Sequence, residues 1–196
     1  GTGMTTWPSM RPNSYFCDGL QTKKSSDKRK TLNMAWEYDG KPFSGFGTRP
    51  WLGPKFWCPG MQNTADFSNQ KVFRYADAIL MMAECYLELD DTDNAMRYLN
   101  MVKDRAQIAR YETFKNYDHL HEEIERERAR ELFGEFQRKY DLVRWGSWYR
   151  QTFDYTDYKS LQDNILPCHE YYPIPDKEVT YSGNALDNDA YAEWGL

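Results

Sequence analysis

The sequence predicts a mainly α-helical fold: a tetratricopeptide-like helical scaffold that carries long, aromatic-rich loops. Three observations predict it. Residues 71–145 show near-continuous helical periodicity, with apolar residues returning every three or four positions. Within that stretch, two helices joined by a short acidic turn make a pair of about the 34-residue size of a tetratricopeptide unit. Residues 1–70 show little periodicity of either kind, yet hold most of the glycines and prolines and four of the seven tryptophans.

The first segment, 1–70, reads as loop. It contains the polar run KKSSDKRK and the turn dipeptides Asp39-Gly40, Lys41-Pro42, Arg49-Pro50, Gly53-Pro54 and Pro59-Gly60. Loops of this length inside a domain are usually functional, disordered, or packed on a scaffold from elsewhere.

The helical scaffold spans 71–146. Its first helix has one stripe of Phe73, Ala76, Leu80, Ala83 and Leu87, and a second of Tyr75, Ile79, Met82, Tyr86 and Leu89. Arg74, Asp77, Glu84 and Glu88 fill the remainder. A helix apolar around most of its circumference is expected to be sandwiched between others. Asp90-Asp91-Thr92-Asp93 supplies a turn and an N-cap, and Ala95, Leu99, Val102 and Ala106 form the inner face of the next helix. A third helix is expected to start near Tyr117–Leu120, run to about Phe133 and continue or bend at Gly134 into Glu135–Trp145, with Gly146 as its C-cap. Its stripe is unusual, because Leu120 and Ile124 share it with Glu127, Arg128, Glu131 and Glu135. That stripe cannot face water along its whole length. Arg128 and Glu131 are therefore expected to be buried and ion-paired, in a network with Glu127 and Arg138. Residues 147–196 read as an extended C-terminal segment, in which prolines hold Tyr171–Pro175 extended.

Composition narrows the function. The net charge is −5 and no basic stripe stands out, which argues against nucleic acid as the main partner. There is no stretch of about 18 apolar residues, the length a membrane-crossing helix needs. Cys17, Cys58, Cys85 and Cys168 form no CxxC pair, and Cys85 is expected as a small core residue. The motifs of common hydrolases, nucleotide binders and zinc proteases are missing. His119 and His121 are two residues apart on a helix and point apart, so no metal is predicted, nor any cofactor. Carboxylates abound, but no two stand out as a glycosidase pair.

The richest candidate region is WEYDGKPFSGFGTRPWLGPKFW, residues 36–57. A flat exposed ring suits the apolar face of a sugar, and nearby polar groups suit its hydroxyls. Trp36, Tyr38, Trp51 and Trp57 are the candidate rings, with Trp7 a weaker one. Asp39, Arg49 and Lys55 are the candidate polar partners. The competing reading of each ring is that it covers the helical scaffold. At least one of Trp36, Trp51 and Trp57 is expected to present a face to solvent or a groove. Trp145 and Trp148 are expected to be packing residues.

Several segments, in order, resemble the SusD/RagB family. They are FRYADAILMMAECYLELDDTDNAMRYLNMVKDRA (73–106), ERARELFGEFQRKYDLVRWG (127–146), YYPIPDKEV (171–179) and NALDNDAY (184–191). RPNSYFCDGL (11–20), SDKR (26–29) and GPKFW (53–57) are similar to further family elements upstream. Phe136 stands where the family usually has glycine, which suggests local repacking, and Asp187 where it usually has glutamine. Members are much longer, so the resemblance is to a C-terminal half. It implies a cell-surface lipoprotein of the Gram-negative outer membrane, anchored through a lipid on the other half. Such a protein binds a glycan and passes it to a SusC-like TonB-dependent transporter, without catalysis. The rivals are a tetratricopeptide-type scaffold for protein partners and, behind it, a glycoside hydrolase.

Overall fold

The computed structural model describes residues 11–38, 40–42, 49–56 and 71–195. The chain divides into two units, residues 1–138 and 139–196.

The first unit begins with a π-helical turn, Tyr15–Leu20, and a short helix, α1 (Lys30–Asn33). Four two-residue strands follow: β1 (Met34–Ala35), β2 (Glu37–Tyr38), β3 (Lys41–Pro42) and β4 (Trp51–Leu52). β1 pairs antiparallel with β4, and β2 with β3. These pairs are the strand content of the described residues, so the molecule is mainly α, as the periodicity predicts.

Three long helices form the scaffold: α2 (Tyr75–Glu88), α3 (Thr92–Ala106) and α4 (Tyr117–Glu131). The Asp91 side chain accepts from the Asn94 N–H and caps α3, while Asn116 does the same for α4 through the His119 N–H. Leu80, Ala83 and Leu87 of α2 meet Ala95, Leu99 and Val102 of α3 and Leu120 and Ile124 of α4 in one buried cluster. Asn100 closes the α3–α4 connection: its side-chain amide holds both the N–H and the carbonyl of Tyr111, at 2.8 and 2.9 Å.

Several expectations need correction. The third helix neither continues nor bends through Gly134. It stops at Glu131, and α5 (Arg138–Arg144) starts after a turn in which Gly134 and Phe136 both have positive φ, 71° and 63°. The second apolar stripe of α2 is not sandwiched: Tyr75, Met82 and Leu89 are exposed, whereas Asp77 and Glu84 from the polar stripe are buried. Cys85, expected in the core, is exposed.

Residues 147–196, expected to be extended, instead carry short helices in the second unit. These are α6 (Trp148–Tyr155), α7 (Lys159–Asn164), α8 (Asp176–Tyr181) and α9 (Asp189–Ala192), with a 3-10 turn at Pro167–Glu170. Their spans are too short for a 3.6-residue pattern to stand out in the sequence. Gly146, at φ 62°, ends α5 as expected. The Ser147 N–H reaches the Leu142 carbonyl and the Gly146 N–H the Val143 carbonyl, both at 2.9 Å, which is the Schellman arrangement. Tyr171–Pro175 is extended, as its prolines require.

Candidate functional site

The candidate loops are tied to the scaffold by a buried network of charges centred on α4. Glu127 and Glu131 lie on the same stripe as Leu120 and Ile124, and all four are buried with Arg128. Arg29 enters from the loop before α1. Its Nη1 bonds Glu127 at 2.7 Å and Glu131 at 2.9 Å, while its Nε and Nη2 hold Asp27 at 2.9 and 2.8 Å. Glu131 also takes Arg74 at 2.9 Å and Arg105 at 2.5 Å. Glu127 is completed by Arg130 at 2.8 Å. Burial pushes the Glu131 carboxyl up, but hydrogen bonds from Arg105, Arg29 and Arg74 outweigh it and hold its pKa below the usual value. Burial and the Arg29 guanidinium act on Asp27 in the same two senses, again with a net lowering.

The sequence-based expectation for this network is met in burial and corrected in membership. Arg128 pairs with Asp77 of α2 at 2.9 Å, and Arg138 donates to the Glu125 carbonyl at 3.2 Å. The cations that meet Glu127 and Glu131 come from Arg29, Arg74, Arg105 and Arg130. Helical periodicity shows which residues share a face of α4, but not which distant loop supplies the counter-charge. SDKR, singled out only by resemblance, carries the missing partners Asp27 and Arg29.

From this anchor the loops follow by direct links. Asn33, at the end of α1, donates to the Arg130 carbonyl at 2.8 Å and to Gln21 at 2.9 Å. Its own carbonyl accepts the Gly53 N–H at 2.8 Å. Here glycine is required, since a Cβ at Gly53 would lie 2.4 Å from the Leu32 carbonyl oxygen. Lys55 then caps the end of α4: its ammonium bonds the carbonyls of Glu131 and Phe133 at 2.9 and 3.1 Å and pairs with Glu135 at 2.5 Å. Lys55, expected as a sugar partner, is thus an anchor, and burial lowers its pKa despite Glu135.

The candidate rings sort by this geometry. Trp36 is half-buried and packs against the cluster of Phe16, Cys17 and Met34, joined by Phe133, whose ring stacks on Phe16 at 4.3 Å. Trp51 is half-buried in β4 and pairs with Ala35 in register. The Arg11 guanidinium lies 5.5 Å from its ring centroid and donates to the Arg49 carbonyl. Arg49 therefore contributes its backbone here, and its side chain is half-buried. Tyr38 enters through its backbone, paired with Lys41. Trp7, Asp39 and Trp57 lie outside the described residues. Arg11, which orients Trp51, was missed because an arginine next to a proline in a loop carries no periodic signal.

Comparisons with known proteins agree on the family. The SusD family model matches residues 21–191. Over 173 residues the chain is 36% identical to SusD-like protein P25 of Formosa agariphila, covering 84% of this chain and 32% of that protein. Its fold is similar to the crystal structure of a SusD superfamily protein from Bacteroides vulgatus, with a TM-score of 0.69 and 27% identity, over 87% of this chain and 42% of that one. The chain thus spans about a third of the curated relative and under half of the solved one. The family match runs from just after the π-helical turn, through the charge network, into the last helix, and by it the chain belongs to the SusD family.

Proposed function

We propose that this chain belongs to a glycan-binding protein of the Gram-negative cell surface. In this reading it captures oligosaccharide for nutrient uptake, delivers it to a SusC-like TonB-dependent transporter, and is held at the outer membrane by a lipid anchor outside the stretch matched here. Family membership supports the binding role. The observation that carries it is Trp51. A half-exposed indole lies on a strand fixed to the scaffold through Gly53 and Lys55, with a guanidinium alongside. A ring held in place before the ligand arrives loses little further freedom on binding.

The reading is of binding without catalysis. A glycosidase needs a carboxyl whose pKa is raised so that it can act as an acid near neutrality. Asp27, Glu123, Glu131 and Glu135 are all held below their ordinary values by basic partners that outweigh their burial, which suits structure rather than proton transfer. A second role, as a scaffold for a protein partner, is favoured by the exposed apolar face of α2.

A glycan array followed by calorimetry on the 196-residue chain tests the proposal. Trp51→Ala is expected to weaken binding by about 1–3 kcal/mol, on the scale of aromatic stacking against a flat ring, with the melting temperature nearly unchanged. A parent chain that binds no polysaccharide on the array would defeat the glycan reading. Equal binding by parent and variant would remove Trp51 from the site.

A further inference from the structure

Two family-like segments of the second unit, YYPIP and NDAY, hold each other. The Asn188 side-chain amide grips the backbone of Ile174 at both ends: its Oδ1 accepts the Ile174 N–H at 2.8 Å and its Nδ2 donates to the Ile174 carbonyl at 2.9 Å. The Tyr191 hydroxyl donates to the Tyr171 carbonyl at 2.5 Å, and its ring lies 5.9 Å from that of His169. With Pro173 and Pro175 fixing φ on either side of Ile174, the extended strand is immobilised along its length. Yet Tyr172, in its middle, is 82% exposed.

Beside Tyr172 stands Lys139. Its ammonium lies 4.0 Å from the Tyr172 ring centroid and 5.2 Å from that of Trp148. No carboxylate among the described residues pairs with it, so its N–H donors remain available. An immobilised exposed ring next to an ammonium with spare donors is the pairing a sugar needs: a flat apolar surface for its C–H face, and donors for its hydroxyl and ring oxygens. The neighbouring display is of the same kind. Exposed large hydrophobic side chains between residues 165 and 185 are Tyr171, Tyr172 and Tyr181, flanked by the less exposed Leu161 and Leu186, while the aliphatic Ile174 and Val179 are half-buried. On α2, by contrast, the exposed face includes Met82 and Leu89. An aliphatic face suits another protein surface, whereas a hydroxylated aromatic one suits a glycan.

We propose that Tyr172 and Lys139 form a second subsite for a pyranose unit of a glycan, separate from the Trp51 region, with Trp148 holding Lys139 in position. This inference rests on the glycan-binding reading. Trp148, expected from sequence as a packing residue, becomes here a positioning one.

The test is calorimetric titration of the 196-residue chain with soluble starch, xylan, laminarin and alginate, comparing the parent with Tyr172→Ala, Tyr172→Phe, Lys139→Met and Trp51→Ala. Tyr172→Ala is expected to raise Kd by about 10-fold for the glycan the parent binds. Tyr172→Phe retains the ring and stays close to the parent. Lys139→Met, which keeps an apolar stem but no donors, falls between them. Melting temperatures of the two Tyr172 variants stay within about a degree, since that exposed side chain carries little stability. If Tyr172→Ala and Lys139→Met bind as the parent does while Trp51→Ala is weakened, this subsite is overturned and the glycan reading stands. If the parent binds none of the four, both fall together.

Discussion

At Phe136 a departure from the family pattern has a backbone cause. The sequence suggests repacking around a large side chain at this position. In the structure the side chain is exposed, and the unusual feature is φ at 63°. Left-handed backbone brings Cβ close to the following carbonyl oxygen and costs an L-residue about 1–2 kcal/mol, a penalty glycine avoids. The family's glycine fits that conformation, and Phe136 occupies it under strain, in the turn that separates α4 from α5. Phe136→Gly is therefore expected to stabilise the chain by about 1 kcal/mol, after allowance for the greater freedom of glycine in the unfolded chain. Urea denaturation measures it directly, and a destabilised variant would mean that the phenyl ring makes a contact worth more than the backbone strain.

Helix α2 shows what periodicity reveals and what it leaves open. Both of its apolar stripes were legible: Phe73, Ala76, Leu80, Ala83 and Leu87 form one, and Tyr75, Ile79, Met82, Tyr86 and Leu89, spaced four, three, four and three apart, form the other. The expected sandwich is not what this chain builds. From Ala76 onward the first stripe is buried, but Phe73, just before the helix, is 72% exposed, and Tyr75 and Leu89 on the second are 78% and 75% exposed. A spacing pattern identifies a face as apolar without naming what covers it. The same limit explains the rest of the comparison. Capping residues Asp91 and Gly146 were readable because a cap is local, and the long helices because their stripes repeat over several turns. The short helices after Trp148, and the arginines that reach Glu131 from three separate segments, were not, because neither leaves a periodic trace. Tertiary placement likewise separates the candidate rings: Trp36 and Trp51 look alike in sequence, but one packs on a core cluster and the other sits beside Arg11. For α2, Met82→Lys is expected to change the stability of this chain by no more than about 0.5 kcal/mol, against a loss of about 2–5 kcal/mol for Leu80→Ala in the core. Comparable losses from the two substitutions would show that the second face is covered in solution.

For the first unit as a whole, the charge network sets how stability depends on pH. Asp27, Glu131 and Glu135 are desolvated, which alone raises their pKa values, but their basic partners lower them further than burial lifts them. A carboxylate with a depressed native pKa stabilises the fold above its unfolded value, 3.8 for Asp27 and 4.5 for Glu131 and Glu135, and that stability is lost as pH falls through the native values. His121 acts in the opposite sense. Its hydrogen bond with Glu125, at 3.2 Å, outweighs burial and raises its pKa above 6.5, with Glu84 and Glu88 adding to the effect and the Tyr117 ring stacked on it at 5.7 Å. Its contribution is complete below 6.5 and disappears as pH rises through the native value. Stability should therefore peak between about pH 5 and 6.5, where both contributions are present. Urea denaturation from pH 3 to 8 on the parent, Glu131→Ala and His121→Gln resolves the two limbs. His121→Gln is expected to flatten the decline above pH 6.5 and leave the acid limb unchanged. Glu131→Ala is expected to lower the plateau by about 3–5 kcal/mol, because it leaves Arg29 buried with part of its counter-charge gone, and to make the acid limb shallower. A surface pair would cost only about 0–1 kcal/mol. If Glu131→Ala unfolds within about 1 kcal/mol of the parent at every pH, the network is not what joins the loops to the helices, and the packing of Phe16 on Phe133 becomes the stronger candidate for that role.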